Sequence, residues 1–483
     1  MPFVATRVAQ SEEDVAAFIS TLGEDAVRRA ELIDLLREDH EIYDQRGTTA
    51  IVRLRGWVLL ALARTGITDE TLVFVLEELD TGLDPYLVAA AARALRSYPD
   101  PLPAFATFVM QALTNMSGRN QFVSFDGYGQ YATSSSGTSV VRELLETLKW
   151  LGPAAREILS ELEALRSTPD AFPRKLLPDV DRAIAAIENG RVPDDGACCR
   201  LPTSVSSALA WCRDAVRREP VGKVLFEDQT SSHITYDEQF RGHTTVVVFF
   251  YTRCDNPLKC SLTITKLGRL QKLIDERGLS DRIHTAAITY DPGFDSAERM
   301  RQFGERRGLQ LDPGNRVLRT SDGMRSLRRH FRLGVNFIES VVNRHRLEAY
   351  VLNSDGEVVW SFERLRWDER DVFDRALEVA LGGGRTEINP PDVRTTASPA
   401  LTVLASIAWA FFPKCAVCWA AYLGVFGIAS LERIPYAPWL QPLILGSLIV
   451  SLIGMWTAAR ANGRLIGACL ATLGALAILL SKA

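Results

Sequence analysis

The chain has 483 residues with a formal net charge of -4 and a pI near 6.0, so no strongly basic face argues for nucleic acid as a partner. That length holds two or three domains, each with its own core. The eight cysteines are too few and too scattered for a disulfide scaffold and read as paired functional thiols with bystanders.

No charged stretch leading into an apolar run opens the chain, so the sequence predicts no cleavable signal peptide. Residues 1–195 read as all-helical. Leu, Ala and Val recur at helical spacing over Ala30 to Arg37, Ile51 to Arg64, Asp69 to Leu79, Leu87 to Ser97, Leu102 to Leu113, Val140 to Leu151 and Pro153 to Arg166. Turn signals such as Asp80-Thr81-Gly82 separate them. The unit from Asp84-Pro85-Tyr86 to Ala94-Leu95 resembles the start of a HEAT-type repeat, which implies a solenoid able to bind a protein partner; a plain helical bundle is the competing reading. The Gly- and Ser-rich stretch from Ser117 to Thr138 reads as a long inserted loop.

From about residue 200 to 383 the pattern alternates between strands and helices. A short hairpin at Val224-Leu225-Phe226 and His233-Ile234-Thr235 precedes the β-branched run Thr244 to Phe250, which reads as a buried parallel strand. A helix from Leu262 to Arg277 and a strand from Ile283 to Tyr290 follow, then helices near Ser296 to Arg307 and Ser321 to Phe331. Strands Ala349 to Leu352 and Val358 to Phe362, joined by Asn353-Ser354-Asp355-Gly356, and a helix from Glu369 to Leu381 complete a thioredoxin-like order. The predicted fold class is therefore multidomain: an all-α helical repeat, an α/β thioredoxin-like domain and C-terminal transmembrane helices.

Cys254 and Cys260 flank Asp255-Asn256-Pro257-Leu258-Lys259 where the Thr244 strand ends and the next helix begins. Helix N-terminal N–H groups there favour thiolates, the form that binds soft metals or attacks disulfides. With His345 they make a soft donor set suited to copper, Cu(I) above all, and tolerable for zinc. Arg344 and Arg346 beside that histidine are expected to help keep the thiols ionised. His345 is read as lying in the loop that enters the next strand.

Residues 221–382 resemble the Sco/SenC copper-chaperone family. The likeness is carried by Phe226-Glu227-Asp228-Gln229, Val247 to Cys254, Ser261-Leu262-Thr263 after Cys260, Thr289 to Ser296, and His345 five residues before Tyr350-Val351-Leu352. The resemblance implies metal ligation by Cys254, Cys260 and His345, no organic cofactor, and delivery of copper to an acceptor protein such as a respiratory oxidase subunit. Five residues separate the cysteines here, where the family typically holds three. The same pair supports an alternative, thiol–disulfide exchange. The pair lacks the two-residue spacing and the facing proline usual in thioredoxins, and a peroxidase would want a threonine three residues before its cysteine. A third reading keeps only a protein-binding scaffold in the helical repeats.

Residues 384–398 read as a linker, and charges nearly vanish from Pro399 onward. Apolar segments at Leu401 to Ala429, Trp439 to Ala458 and Leu465 to Leu480 are long enough, or nearly so, to span a hydrocarbon core at about 1.5 Å per residue, so residues 399–483 are expected to anchor the protein in the inner or plasma membrane. Arg460 and Arg464 between the second and third segments place that loop, and with it the soluble part, on the cytoplasmic side. That side conflicts with the family's client, which is assembled outside the cytoplasm. Cys415 and Cys418, three residues and about one helical turn apart beside Lys414, form a possible second thiol or metal site that loosely resembles membrane mercury-transport proteins of the MerC type.

Overall fold

The computed structural model describes residues 11–130, 137–190, 212–213, 220–320 and 322–382. The chain divides into two compact units, Met1–Glu387 and Ile388–Ala483. The second lies outside the described residues, and with it the linker, the three apolar segments, Cys415 and Cys418. Among the described residues no helix is long and apolar enough to cross a membrane.

The first part of the described unit is helical: α1 (Glu12–Leu22), α2 (Arg29–Asp34), α3 (Thr48–Thr65), α4 (Asp69–Thr81), α5 (Pro85–Leu95), α6 (Ala106–Met116), α7 (Val140–Leu151), α8 (Leu159–Ser167) and α9 (Leu177–Asn189). Local chemistry sets their starts. Asp84 accepts from the N–H groups of Tyr86 and Leu87 at 3.0 and 3.1 Å, and Pro85 occupies the first turn, where its missing donor costs nothing. The run Ala89 to Ala92 is fully buried, which lets α5 approach α3 closely. Gly56 makes the same contact from α3, because a Cβ there would stand 2.3 Å from the Tyr86 ring. At the ends of the predicted long loop, Phe122 and Val123 (β1) pair with Ser139 and Thr138 (β2).

The second part is a mixed sheet. Its strands are β3 (Cys212–Arg213), β4 (Leu225–Asp228), β5 (His233–Thr235), β6 (Thr244–Phe250), β7 (Ile283–Thr289), β8 (Asn315–Arg319), β11 (Glu348–Leu352) and β12 (Val358–Glu363), in the order β3-β12-β11-β6-β7-β8-β4-β5. β6, β7 and β8 run parallel, β11 lies antiparallel to β6, and β12 lies antiparallel to β11. A separate hairpin, β9 (Val335–Ile338) with β10 (Val341–His345), stands before β11. The helices are α10 (Tyr236–Phe240), α11 (Leu262–Glu276), α12 (Ala297–Glu305), α13 (Met324–Phe331) and α14 (Glu369–Ala380). The segment β12-β11-β6-β7, crossed over by α11, is the thioredoxin-like core. Every residue of β6 is buried, as expected of a central strand covered on both faces.

Three features depart from the sequence reading. β8 and the β9–β10 hairpin are additional strands, and His345 ends a strand of its own instead of sitting in a loop. Asn315–Arg319 buries only Val317 and Leu318, and Val341–His345 follows a two-residue turn, so neither presents the apolar run that marks a buried strand.

The helical and sheet parts meet along α4. Leu365, beyond β12, is buried within the helical core. Around it, Arg364 donates to Glu38 at 2.8 and 2.9 Å and to Glu77 at 2.8 Å, with its guanidinium 4.0 Å from the Phe74 ring centroid. Arg55 pairs with Glu78 at 3.2 Å and Glu38 at 3.5 Å. Burial alone would raise the Glu38 carboxyl, and Arg364 and Arg55 overcome it, holding the group well below the usual carboxylate range.

A candidate metal centre of two thiols and an imidazole

β6 delivers its last residue, Phe250, to the end of the parallel pair, and the chain leaves the sheet through Tyr251 to Cys254. The departure is pinned. Thr252 N–H donates to Asp295 at 3.1 Å, the Thr252 hydroxyl donates to the same carboxylate, and Arg253 pairs with Asp291. Asn256 caps the following turn by accepting from Leu258 N–H at 2.9 Å. Pro257–Ser261 then form a wide π-type turn that runs into α11. This turn accommodates the long spacing between the cysteines and brings Cys260 back beneath Cys254.

β10 supplies the third group. His345 Nε2 lies 3.6 Å from Cys254 Sγ and 3.5 Å from Cys260 Sγ, and all three donor atoms fall within 4.8 Å of one another. Metal–sulfur and metal–nitrogen bonds of about 2.3 and 2.0–2.1 Å put sulfur and nitrogen about 3.6–3.8 Å apart around a three- or four-coordinate ion. The donors therefore already stand at ligand separation. Nδ1 of His345 lies 2.9 Å from the Arg346 carbonyl oxygen, and donating to it leaves the Nε2 lone pair directed at the sulfurs. The rings of Tyr251 and Tyr290, each 5.4 Å from the imidazole, close its flanks.

The two thiols differ in kind. Cys254 is partly exposed and Cys260 is buried. A hydrogen bond from the Cys260 thiol is the largest influence that carries Cys254 far below the usual thiol range, against the effect of burial. Burial, then the neighbouring Cys254 thiolate, pushes Cys260 well up. Without an ion the pair thus holds one thiolate and one thiol, and the expectation that a helix N-terminus ionises both is corrected. The expected help from the flanking arginines is corrected too. Arg344 is committed to Glu78, and Arg346 to Glu348 at 2.7 Å and Glu363 at 2.6 Å.

Two residues of the loop were not singled out from the sequence. Asn256 Nδ2 donates to the Thr81 carbonyl at the end of α4 at 2.7 Å, and Lys259 Nζ donates to the His345 carbonyl at 2.7 Å. An asparagine and a lysine in a turn carry no sequence signal for burial. Cys198 and Cys199 lie outside the described residues, and only the backbone of Cys212 is described, as part of β3.

Residues 223–376 match the family model described as SCO1/SenC, about a third of the chain. No curated protein matches. Among solved structures, the chain is similar to a SCO1/SenC family lipoprotein from Bacillus anthracis (18% identity, 34% of this chain and 99% of that one, TM-score 0.29). It is also similar to copper-bound ScoI from Bradyrhizobium japonicum (18%, 32% and 96%, TM-score 0.27). A third is yeast Sco1 with copper bound (18%, 37% and 95%, TM-score 0.27).

Proposed function

We propose that this protein is a metallochaperone that binds Cu(I) through Cys254, Cys260 and His345 and passes it to an acceptor. The observation that carries the reading is the meeting of two sulfurs and a bare imidazole nitrogen at ligand separation. Two thiolates and an imidazole form a low-coordinate soft set, which suits Cu(I). Copper here is cargo. Partial exposure of Cys254 leaves one ligand open to an incoming thiolate or imidazole of the acceptor, while Cys260 and His345 hold the ion from beneath. A copper site of a respiratory oxidase is the acceptor the family match favours.

The remaining parts extend the proposal. Residues 399–483 anchor the chain in a membrane, with Cys415 and Cys418 as a second thiol pair of MerC type, and HEAT-like packing of the helical part offers a protein-binding surface. The charge pattern around Arg460 favours a cytoplasmic soluble part, whereas an oxidase client favours the opposite side; protease protection of the soluble part in sealed vesicles separates the two. Titration of the full chain with Cu(I) against a competing chelator tests the central claim. One equivalent binds tightly to the wild type, and Cys254→Ser, Cys260→Ser and His345→Ala each weaken it at least about tenfold. Undiminished binding in all three variants overturns the proposal.

One observation favours a second reading. A partly exposed cysteine backed by a buried one is the arrangement of a nucleophilic and a resolving cysteine. Turnover of a disulfide substrate that survives His345→Ala and metal chelation would select it over metal transfer.

A further inference from the structure

Lys259 sits inside the loop between the two thiols, and metal ligation by the cysteines gives it no task. It is buried, 8% exposed, beside the still more deeply buried Cys260. An ammonium in that position is costly unless opposite charge answers it. Its nearest carboxylate oxygen, Glu77 Oε1 on α4, is 3.6 Å away and accepts no hydrogen bond. Glu77 Oε2 and both oxygens of Glu38 are taken by Arg364, while Glu78 serves Arg55 and Arg344. Three carboxylates, Glu38, Glu77 and Glu78, thus face four cations, Arg55, Lys259, Arg344 and Arg364. Beyond them, Arg346 answers two further carboxylates, the buried Glu348 and the half-buried Glu363.

Within the seven-group cluster the cations outnumber the acids by one, and Lys259, whose acid accepts no hydrogen bond at its facing oxygen, is the cation that lies in the metal-binding loop. Two thiolates and an imidazole around a monovalent ion make a complex of charge -1; around a divalent ion the complex is neutral. Only the first sets a negative charge opposite Lys259. We infer that Lys259, held by Glu77 of the helical part, is a specificity-determining residue that matches the centre to a monovalent soft cation over a divalent one. The inference rests on the reading that Cys254, Cys260 and His345 bind metal. It assigns the helical part a role within that centre: α4 supplies the counter-charge that keeps the ammonium against the ligands.

The test is the ratio of Cu(I) to Zn(II) affinity, each ion alone, by chelator competition on the full chain. Lys259→Met lowers the ratio by about tenfold or more, well within the effect of one unit charge a few ångström away at an effective dielectric of about 20. Lys259→Arg keeps the ratio within about threefold. Glu77→Gln removes a negative charge and moves the ratio the other way, a change of sign that loss of packing cannot produce. If Lys259→Met does not fold, the other two variants decide. Equal weakening of both ions by Lys259→Met, or a ratio that Glu77→Gln lowers or leaves unchanged, overturns the inference. If the wild type binds neither ion, the metal-centre reading falls first. If it binds Cu(I) and loses it in Cys254→Ser while the ratio stays fixed across the charge variants, only the role of Lys259 falls.

Discussion

Replacing Arg364 by leucine tests whether the helical and sheet parts are joined by charge. Arg364 is 5% exposed and makes three hydrogen bonds to Glu38 and Glu77, both 1% exposed. Leucine fills part of the volume and answers neither carboxylate. Glu38 keeps only Arg55 at 3.5 Å, and Glu77 keeps only Lys259 at 3.6 Å and Arg344 at 3.9 Å. Removing one partner of a buried pair leaves an uncompensated charge and costs about 3–5 kcal/mol, a large share of the roughly 5–15 kcal/mol that holds a typical domain folded. Hydrogen–deuterium exchange on the full chain reads the effect segment by segment, and the loss is expected in α4 and β12 together. Arg364→Met combined with Glu38→Met, Glu77→Met and Lys259→Met should recover part of the loss, because it removes the carboxylates that Arg364 answered together with the ammonium that Glu77 answers. A loss under about 1 kcal/mol, or protection that falls on one side of the joint alone, refutes the reasoning.

Two further outcomes follow from the titrating groups. Cys254 is ionised well below the usual thiol range, so its alkylation by iodoacetamide should be nearly as fast at pH 5 as at pH 8, while Cys260 stays slow at both; peptide mapping by mass spectrometry reads this, and a steep rise in Cys254 labelling towards pH 8 counts against it. His284 is pushed down from 6.5 to about 4, first by burial and then by His243, whose ring centroid is 3.7 Å away. Because the folded state resists protonation, that contribution to stability is whole above about pH 6.5 and is lost as pH falls towards about 4. His284→Phe should flatten urea stability across that window, and an unchanged acid limb would show that the pair does not matter.

Much of the centre was legible in the chain. A buried β-branched run, a thiol directly after it and a second thiol before a helix place two donors at the end of a central strand, because strand and helix periodicity fix where each element stops. His345 was nameable for the same reason, since Tyr350-Val351-Leu352 marks the neighbouring strand. The hairpin that carries it was not, because Val341–His345 alternates little and draws its register from β9. The joint was the least legible feature. Glu77, Glu78 and Arg344 look like solvated charges at their own positions, and only the meeting of distant segments buries them. Periodicity reports what an element hides from water, and it is silent on which polar groups a second element will cover.

The placement of Leu365 bears on how this protein can be taken apart. A cut near residue 200 looks harmless along the sequence, where helices give way to strands. In space it would strip the cover from Leu365 and Phe362, which pack into or against the helical core, and turn Arg364 and Lys259 out to water without their acids. A fragment starting there would carry a sticky, cationic face beside its thiols. Whatever metal binding such a fragment displayed would describe an amputated protein and not the intact one.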